Sequence, residues 1–128
     1  MKLKEKYDPV LKLGESFEIR DGYVDESDNI LKIGGMARYQ YEKDRLWDEI
    51  KSIGGEEPSD IEADIKVENK DVYAMHTVEK GETLGKIAKK YYGKPSKYKE
   101  IYEANSDILD NPDLIHPGQE LKIPFSSE

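Results

Sequence analysis

Cysteine is absent from the 128 residues and histidine occurs twice. Disulfides, thiolate zinc sites and cysteine nucleophiles are therefore excluded, and a histidine-rich metal site lacks ligands. Long apolar runs are also missing, so no membrane-spanning helix is expected. The first fifteen residues mix Lys and Glu with isolated apolar positions. They do not read as a secretory signal, which points to a cytoplasmic protein. Positive charge is in short supply, with 20 Lys+Arg against 28 Asp+Glu and a net charge of −8. A surplus of carboxylates repels phosphates, which argues against nucleic acid and against an anionic membrane surface as partners. Neither a nucleophile–base set nor a phosphate-binding glycine loop occurs. A carboxylate pair of the glycosidase kind needs a cleft that two small units have little room to build. Catalysis is not expected.

What is present is enough to fold. Hydrophobic residues make up 36% of the chain, with nine Tyr, two Phe and one Trp, too many aromatics for a disordered tail. The charge is uneven: residues 1–72 hold twelve cations and nineteen carboxylates, residues 73–128 eight and nine. That shift suggests two units.

Residues 1–15 read as an arm or one short helix, with Pro9 interrupting the apolar face of Tyr7, Val10, Leu11 and Leu13. Phe17 to Arg20 alternate as a strand, Asp21-Gly22 reads as a turn, and Asp25 to Asn29 as a polar break. Leu31, Ile33, Gly35, Ala37 and Tyr39 share one parity of a second strand. Gly34-Gly35 within it marks a bulge or a close backbone approach. Leu46, Trp47, Ile50 and Ile53 recur at helical spacing up to Gly54-Gly55. Ile61, Ala63, Ile65 and Val67 then alternate with charged residues, as in a strand with one face buried.

The second half begins with a β-prone stretch, Ala74 to Glu79, and a turn at Lys80-Gly81-Glu82. Thr83 is placed to cap a helix whose face carries Leu84, Ile87, Ala88 and Tyr91. Ser96 is placed to cap a second helix, with Tyr98, Ile101, Tyr102 and Asn105 at the same spacing. A long loop from Asp107 to Gly118 leads to a short strand at Leu121 and Ile123. The order is strand–helix–helix–strand.

The run His76-Thr77-Val78-Glu79-Lys80-Gly81-Glu82-Thr83-Leu84, followed by Ile87-Ala88, Tyr91-Tyr92-Gly93, Tyr98, Ile101, Glu103-Ala104-Asn105 and Asn111 to Pro124, resembles a LysM domain over about residues 74–125. The resemblance implies a βααβ fold with both helices on one face of a two-stranded antiparallel sheet. Residues 16–70 resemble a BON domain in their strand–strand–helix–strand order and in the Ile33-Gly34-Gly35 step. The expected class is α+β: a BON-like (α)ββαβ unit followed by a LysM βααβ domain. The BON-then-LysM order also resembles small bacterial proteins that bind potassium in the cytoplasm.

The LysM resemblance implies non-catalytic binding of glycans containing N-acetylglucosamine, such as peptidoglycan or chitin. It places the site in two loops, Gly81, Glu82, Thr83 and Leu84, and Asn111, Pro112, Asp113, Leu114 and Ile115. Loop backbone groups can pair with the sugar's acetamido group, while Leu84 or Ile115 covers its methyl and the sugar face. Gly81 would let the backbone approach closely. Glu82 stands where such domains usually have Asp. No cofactor is expected. The alternative is a cytoplasmic potassium-binding or sensing protein in which both domains close around the ion; carbonyl ligands leave no mark in a sequence. A structural docking role is a third reading.

Several of these residues also have packing roles. Leu84, Ile87, Ala88, Tyr98 and Ile101 read as core, and Leu114 and Ile115 stay divided between core and groove. Asn105 reads as a helix end whose amide ties down a loop. Of Tyr91 and Tyr92, one should be core and the other half exposed. Trp47 reads as core rather than a sugar platform, His76 as structural, and His116 as exposed. Asp25 to Asn29 lacks the spacing of a calcium loop, so the carboxylates read as a solvated surface.

Overall fold

The structure, a computed structural model, describes residues 2–125 and divides into two units, with the boundary between Lys70 and Asp71. Mixed helix and sheet make the chain α+β. In the first unit, α1 (Leu3–Lys6) and α2 (Asp8–Ser16) precede β1 (Arg20–Ser27), β2 (Ile30–Tyr39), α3 (Gln40–Gly54) and β3 (Ile61–Asn69). The strands form one sheet in the order β1-β2-β3. β1 runs antiparallel to β2, and β3 runs parallel to it. A parallel neighbour needs a crossover, and α3 supplies it.

Alternation decides which face is buried. Leu31, Ile33, Gly35 and Ala37 lie across from Ile61, Ala63, Ile65 and Val67. Tyr7, Val10, Leu46 and Ile50 pack on that face with Leu31, Ile33, Ala37, Ile61 and Ile65. Trp47 and Ile53 lie partly buried against the same cluster. The segment read as an arm or one short helix is thus two helices, with Tyr7 between them and Val10 of α2 in the core and Leu3 of α1 partly buried against it. Pro9 occupies the first turn of α2, where its missing N–H breaks no hydrogen bond. It starts the helix rather than interrupting it.

The first strand also differs from its sequence reading. β1 begins at Arg20, so Asp21-Gly22 is not a turn but lies at an irregularity in the pairing between Arg20 and Tyr23. The reversal comes at Asp28-Asn29, both with positive φ (53° and 63°) between paired Ser27 and Ile30. This is the two-residue hairpin turn whose twist suits the strands. Asp and Asn are neutral signals in a polar stretch, which is why the strand end was hidden. Gly34-Gly35 does mark a close approach: a Cβ on Gly34 would lie 2.7 Å from the Asp64 carbonyl oxygen. The bulge itself sits in the facing strand.

Two polar devices fix this unit. Glu42, buried in the first turn of α3, accepts from the Arg38 backbone N–H at 2.8 Å and from the Arg38 guanidinium at 2.7 Å. It satisfies a donor at the helix start, and its hydrogen bonds and charge raise the guanidinium's pKa against the lowering by burial. Asp60 accepts from the Tyr7 hydroxyl and pairs with Lys6. Hydrogen bonds from Lys6 and Tyr7 hold its carboxyl below the usual range. Burial, with the bond and charge of Asp60, pushes the Tyr7 phenol up to about 12. Tyr7→Phe should lower the stability of this unit by about 1–2 kcal/mol, the cost of one charge-assisted bond, read as a shift in the urea midpoint of Trp47 fluorescence.

In the second unit, β4 (Ala74–Thr77), α4 (Leu84–Tyr92), a 3-10 turn (Pro95–Lys97), α5 (Tyr98–Ala104) and β5 (Glu120–Ile123) follow in order. β4 and β5 pair antiparallel, with Ala74 across from Ile123 and His76 across from Leu121. These four residues are buried, as are Val78, Leu84, Ile87, Ala88, Ile101 and Leu109. The Thr83 hydroxyl caps α4 by accepting from the Lys86 N–H at 3.1 Å. Ser96 does not cap α5. Pro95 instead begins the 3-10 turn that feeds the helix, and α5 has no side-chain cap. Tyr91 and Tyr92 are both half-buried rather than divided between core and surface. The Tyr92 hydroxyl donates to the Pro124 carbonyl, and its pKa is raised by burial.

Candidate functional site

The loop after β4 is held by one carboxylate. Glu82 Oε1 accepts from the Glu79 N–H at 2.7 Å and lies 2.8 Å from His76 Nε2. An ionised carboxylate only accepts, so Nε2 carries the ring proton. His76 Nδ1 is 2.8 Å from the Tyr91 hydroxyl, which donates to it in the neutral ring. His76 is only 5% exposed, so this chain of bonds links β4, α4 and the loop. Burial pulls the Glu82 pKa up, but the bonds from His76 and the Glu79 N–H outweigh it and the net shift is downward.

A depressed carboxylate contributes stability that is present above its unfolded pKa and lost as pH falls through its folded value. Glu82→Gln should therefore flatten the acid limb of the second unit's stability as pH falls below the ordinary glutamate pKa of about 4.3. Urea denaturation followed by the amide signals of residues 74–124 measures this; an unchanged limb would show that Glu82 is uncoupled from folding.

Gly81 has φ +86°, with nothing within 4 Å of where a Cβ would stand. It is needed for the turn itself and not for a close approach within the fold. The loop before β5 is tied by its own polar atoms. Asn111 Oδ1 accepts from the Asp113 N–H at 2.8 Å, and the Asn111 carbonyl accepts from the Leu114 N–H at 3.0 Å. Val78 joins the two loops: its N–H donates to the Gln119 carbonyl, and its carbonyl accepts from the Gly118 N–H, each at 2.8 Å.

Between these loops lies a groove of about 430 Å³ lined by Glu82, Thr83, Leu84, Gly85, Tyr98, Pro112, Asp113 and Ile115. Of the residues named from sequence, Glu82, Thr83, Leu84, Pro112, Asp113 and Ile115 meet here. Gly81, Asn111 and Leu114 do not line it, and the Leu114 side chain is 57% exposed. Leu84 forms the floor with 2% exposure, so its side chain belongs mainly to the core. The sequence reading missed Gly85 and Tyr98. Tyr98 shares the helical spacing of Ile101, which marked it as core; as the first residue of α5 it stays half-buried at the groove. Apolar walls from Ile115, Pro112 and the Tyr98 ring stand beside polar groups of Thr83 and Asp113. Such a surface offers an apolar contact and hydrogen bonds.

Among the described residues, no group of three or more His, Asp or Glu is placed to hold a metal ion. Among them, too, no helix is long and apolar enough to cross a membrane. Asp25 to Ser27 end β1, and Asp28-Asn29 form the turn. His116 is exposed in the second loop.

Residues 76–124 match the family profile of the LysM domain. Across 50 residues in this region the chain is 49% identical to the potassium binding protein Kbp of Escherichia coli O6:H1, covering 39% of this chain and 34% of that protein. It is 50% identical over 50 residues to an uncharacterized protein of Deinococcus radiodurans, covering 39% of this chain and 19% of that one. It is 45% identical over 53 residues to the spore coat assembly protein ExsA of Bacillus cereus, covering 41% and 8%. The matches thus span about a third of the first relative's length and less of the others. The fold of the second unit, its groove between two loops and this match agree: residues 76–124 form a LysM domain.

Proposed function

We propose that the chain binds N-acetylglucosamine-containing glycan, non-catalytically, in the groove between Glu82–Gly85 and Pro112–Ile115. The observation that carries this reading is the groove itself: it joins the two loops of a LysM domain, a family that binds such glycans in general. The Tyr98 ring and Ile115 offer apolar cover for a sugar face and its acetyl methyl. Thr83, Asp113 and loop backbone groups offer partners for the amide. A shallow groove buries little of a ligand, so affinity should be modest. Ile115→Asp puts a charge on the apolar wall and should weaken binding of a chitin tetrasaccharide by about tenfold or more, the effect of about 1.4 kcal/mol. Amide shifts of the labelled chain measure the affinity, and unaltered signals from the core check the fold. Undiminished affinity would remove the groove from the reading.

A second reading is potassium binding, supported by the 49% identity to a protein of that name. Potassium takes backbone carbonyls as ligands, so the lack of a metal-holding carboxylate group among the described residues does not weigh against it. Titration with potassium chloride against sodium chloride separates the two readings: potassium-selective shifts with no response to the sugar favour the second. We also read the first unit as BON-like. Its ββαβ order behind leading helices supports this.

A further inference from the structure

We propose that the outer edge of β1, with the apolar cleft beside it, is a docking site for a basic, extended segment of a protein partner. The segment adds to β1 as a strand and places one apolar side chain in the cleft. β1 is an edge strand that pairs with β2 alone among the described residues. Val24 lies across from Ile33 in register and so faces the helix side of the sheet. Yet Val24 is 43% exposed while Ile33 is 7% exposed. The helices therefore cover β2 and leave Val24 of β1 largely exposed on the face that should be core, although the Glu26 carboxylate accepts from the Lys4 N–H of α1 at 3.1 Å. Next to Val24 a cleft of about 300 Å³ opens between α2 and the sheet, reaching the buried Val10, Ile33 and Leu46. Ligand clefts run about 300–1,000 Å³, so this one is large enough to receive an apolar side chain.

Charge selects the occupant. Residues 15–29 carry six carboxylates and one cation, Arg20, and Arg20 is already paired with Glu68. Lys32 lies across from Asp25, but Glu15 lines the cleft, and Asp21 and Glu26 stand on the exposed strand. A second copy of β1 would set carboxylates against carboxylates, which disfavours self-pairing. A strand alternating Lys or Arg with apolar residues matches both the charge and the cleft. Main-chain pairing would supply affinity and the anchor specificity.

The test is a titration of the labelled full chain with a blocked peptide that alternates Lys and Val around a central Leu. Saturable amide shifts over residues 10–15 and 20–27 are expected. Affinity should fall about tenfold or more for the peptide with Glu in place of Lys and for Val24→Lys protein. It should fall likewise for the peptide N-methylated at alternate residues, which cannot pair as a strand. Equal binding of the acidic or N-methylated peptide would overturn the proposal. So would silence with the Lys–Val peptide while indole alone shifts the cleft residues, which would make it a small-molecule cleft. Dimerisation of the free chain through β1, detected by sedimentation, would overturn it as well.

Discussion

Replacing Asn105 by leucine should cost the LysM domain about 3 kcal/mol or more, because three backbone groups lose their partner at about 1 kcal/mol or more each. Asn105 is 1% exposed at the end of α5. Its amide nitrogen donates to the Ile101 carbonyl at 2.8 Å and to the Lys122 carbonyl at 2.9 Å. Its amide oxygen accepts from the Lys122 N–H at 2.8 Å. One side chain thus serves the helix end and the neighbouring strand. Leucine matches its size but offers nothing to these groups. Asn105→Asp keeps the acceptor for Lys122 and sets a carboxylate against two carbonyls, so it should also destabilise the domain. The measurement is the urea midpoint of amide signals from residues 74–124. A loss below 1 kcal/mol for Asn105→Leu would mean that water replaces these bonds.

The second large effect belongs to Gly35→Ala, expected to destabilise the first unit by about 2–4 kcal/mol through backbone strain and overpacking together. Gly35 has φ +151°, where a Cβ would lie 2.5 Å from Ile19 Cγ2 and 3.0 Å from the Arg20 carbonyl oxygen. The Ile19 methyl can turn aside; the carbonyl and the Gly22 Cα at 3.1 Å belong to the backbone of the chain leading into and along β1. Relief therefore requires β1 to move away from β2. Trp47, the single tryptophan, packs against this unit's core, so its fluorescence on urea unfolding reports the change. An undiminished midpoint would show that the strands separate at little cost.

These two residues mark where the sequence was legible. Asn105 read as a polar residue closing a helix, and it does close one. That its amide ties down the final strand rather than a loop depends on a partner seventeen residues away, which no local pattern contains. Gly34-Gly35 read as a close approach, since glycine inside an alternating strand is costly unless a side chain cannot fit. Which chain approaches was not legible, because Ile19 and Tyr23 lie in a segment read as strand, turn and break. β1 was misplaced for the same reason: its residues are almost all exposed, so no buried–exposed alternation marks it. The LysM resemblance placed Glu82, Thr83 and Ile115 in two loops, and those three residues line the groove. Tyr98 was passed over because helical spacing cannot tell a ring at the first turn from one in the core.

By itself the sequence determined the elements whose pattern is local. Period-two alternation gave β3, helical spacing gave α3 and α4, the Thr83 hydroxyl marked the start of α4, and an ordered run of residues marked the LysM domain. Local patterns suffice there because burial of one face repeats every two or every 3.6 residues along the chain. Only the tertiary structure decided what depends on residues far apart in sequence. It placed Tyr7 on Asp60 and made helices Leu3–Lys6 and Asp8–Ser16 part of a core. It joined Glu82 to His76 and brought Tyr98 to Ile115 across a groove. It also left Val24 of β1 largely exposed, because helices that cover two strands need not fully cover the third.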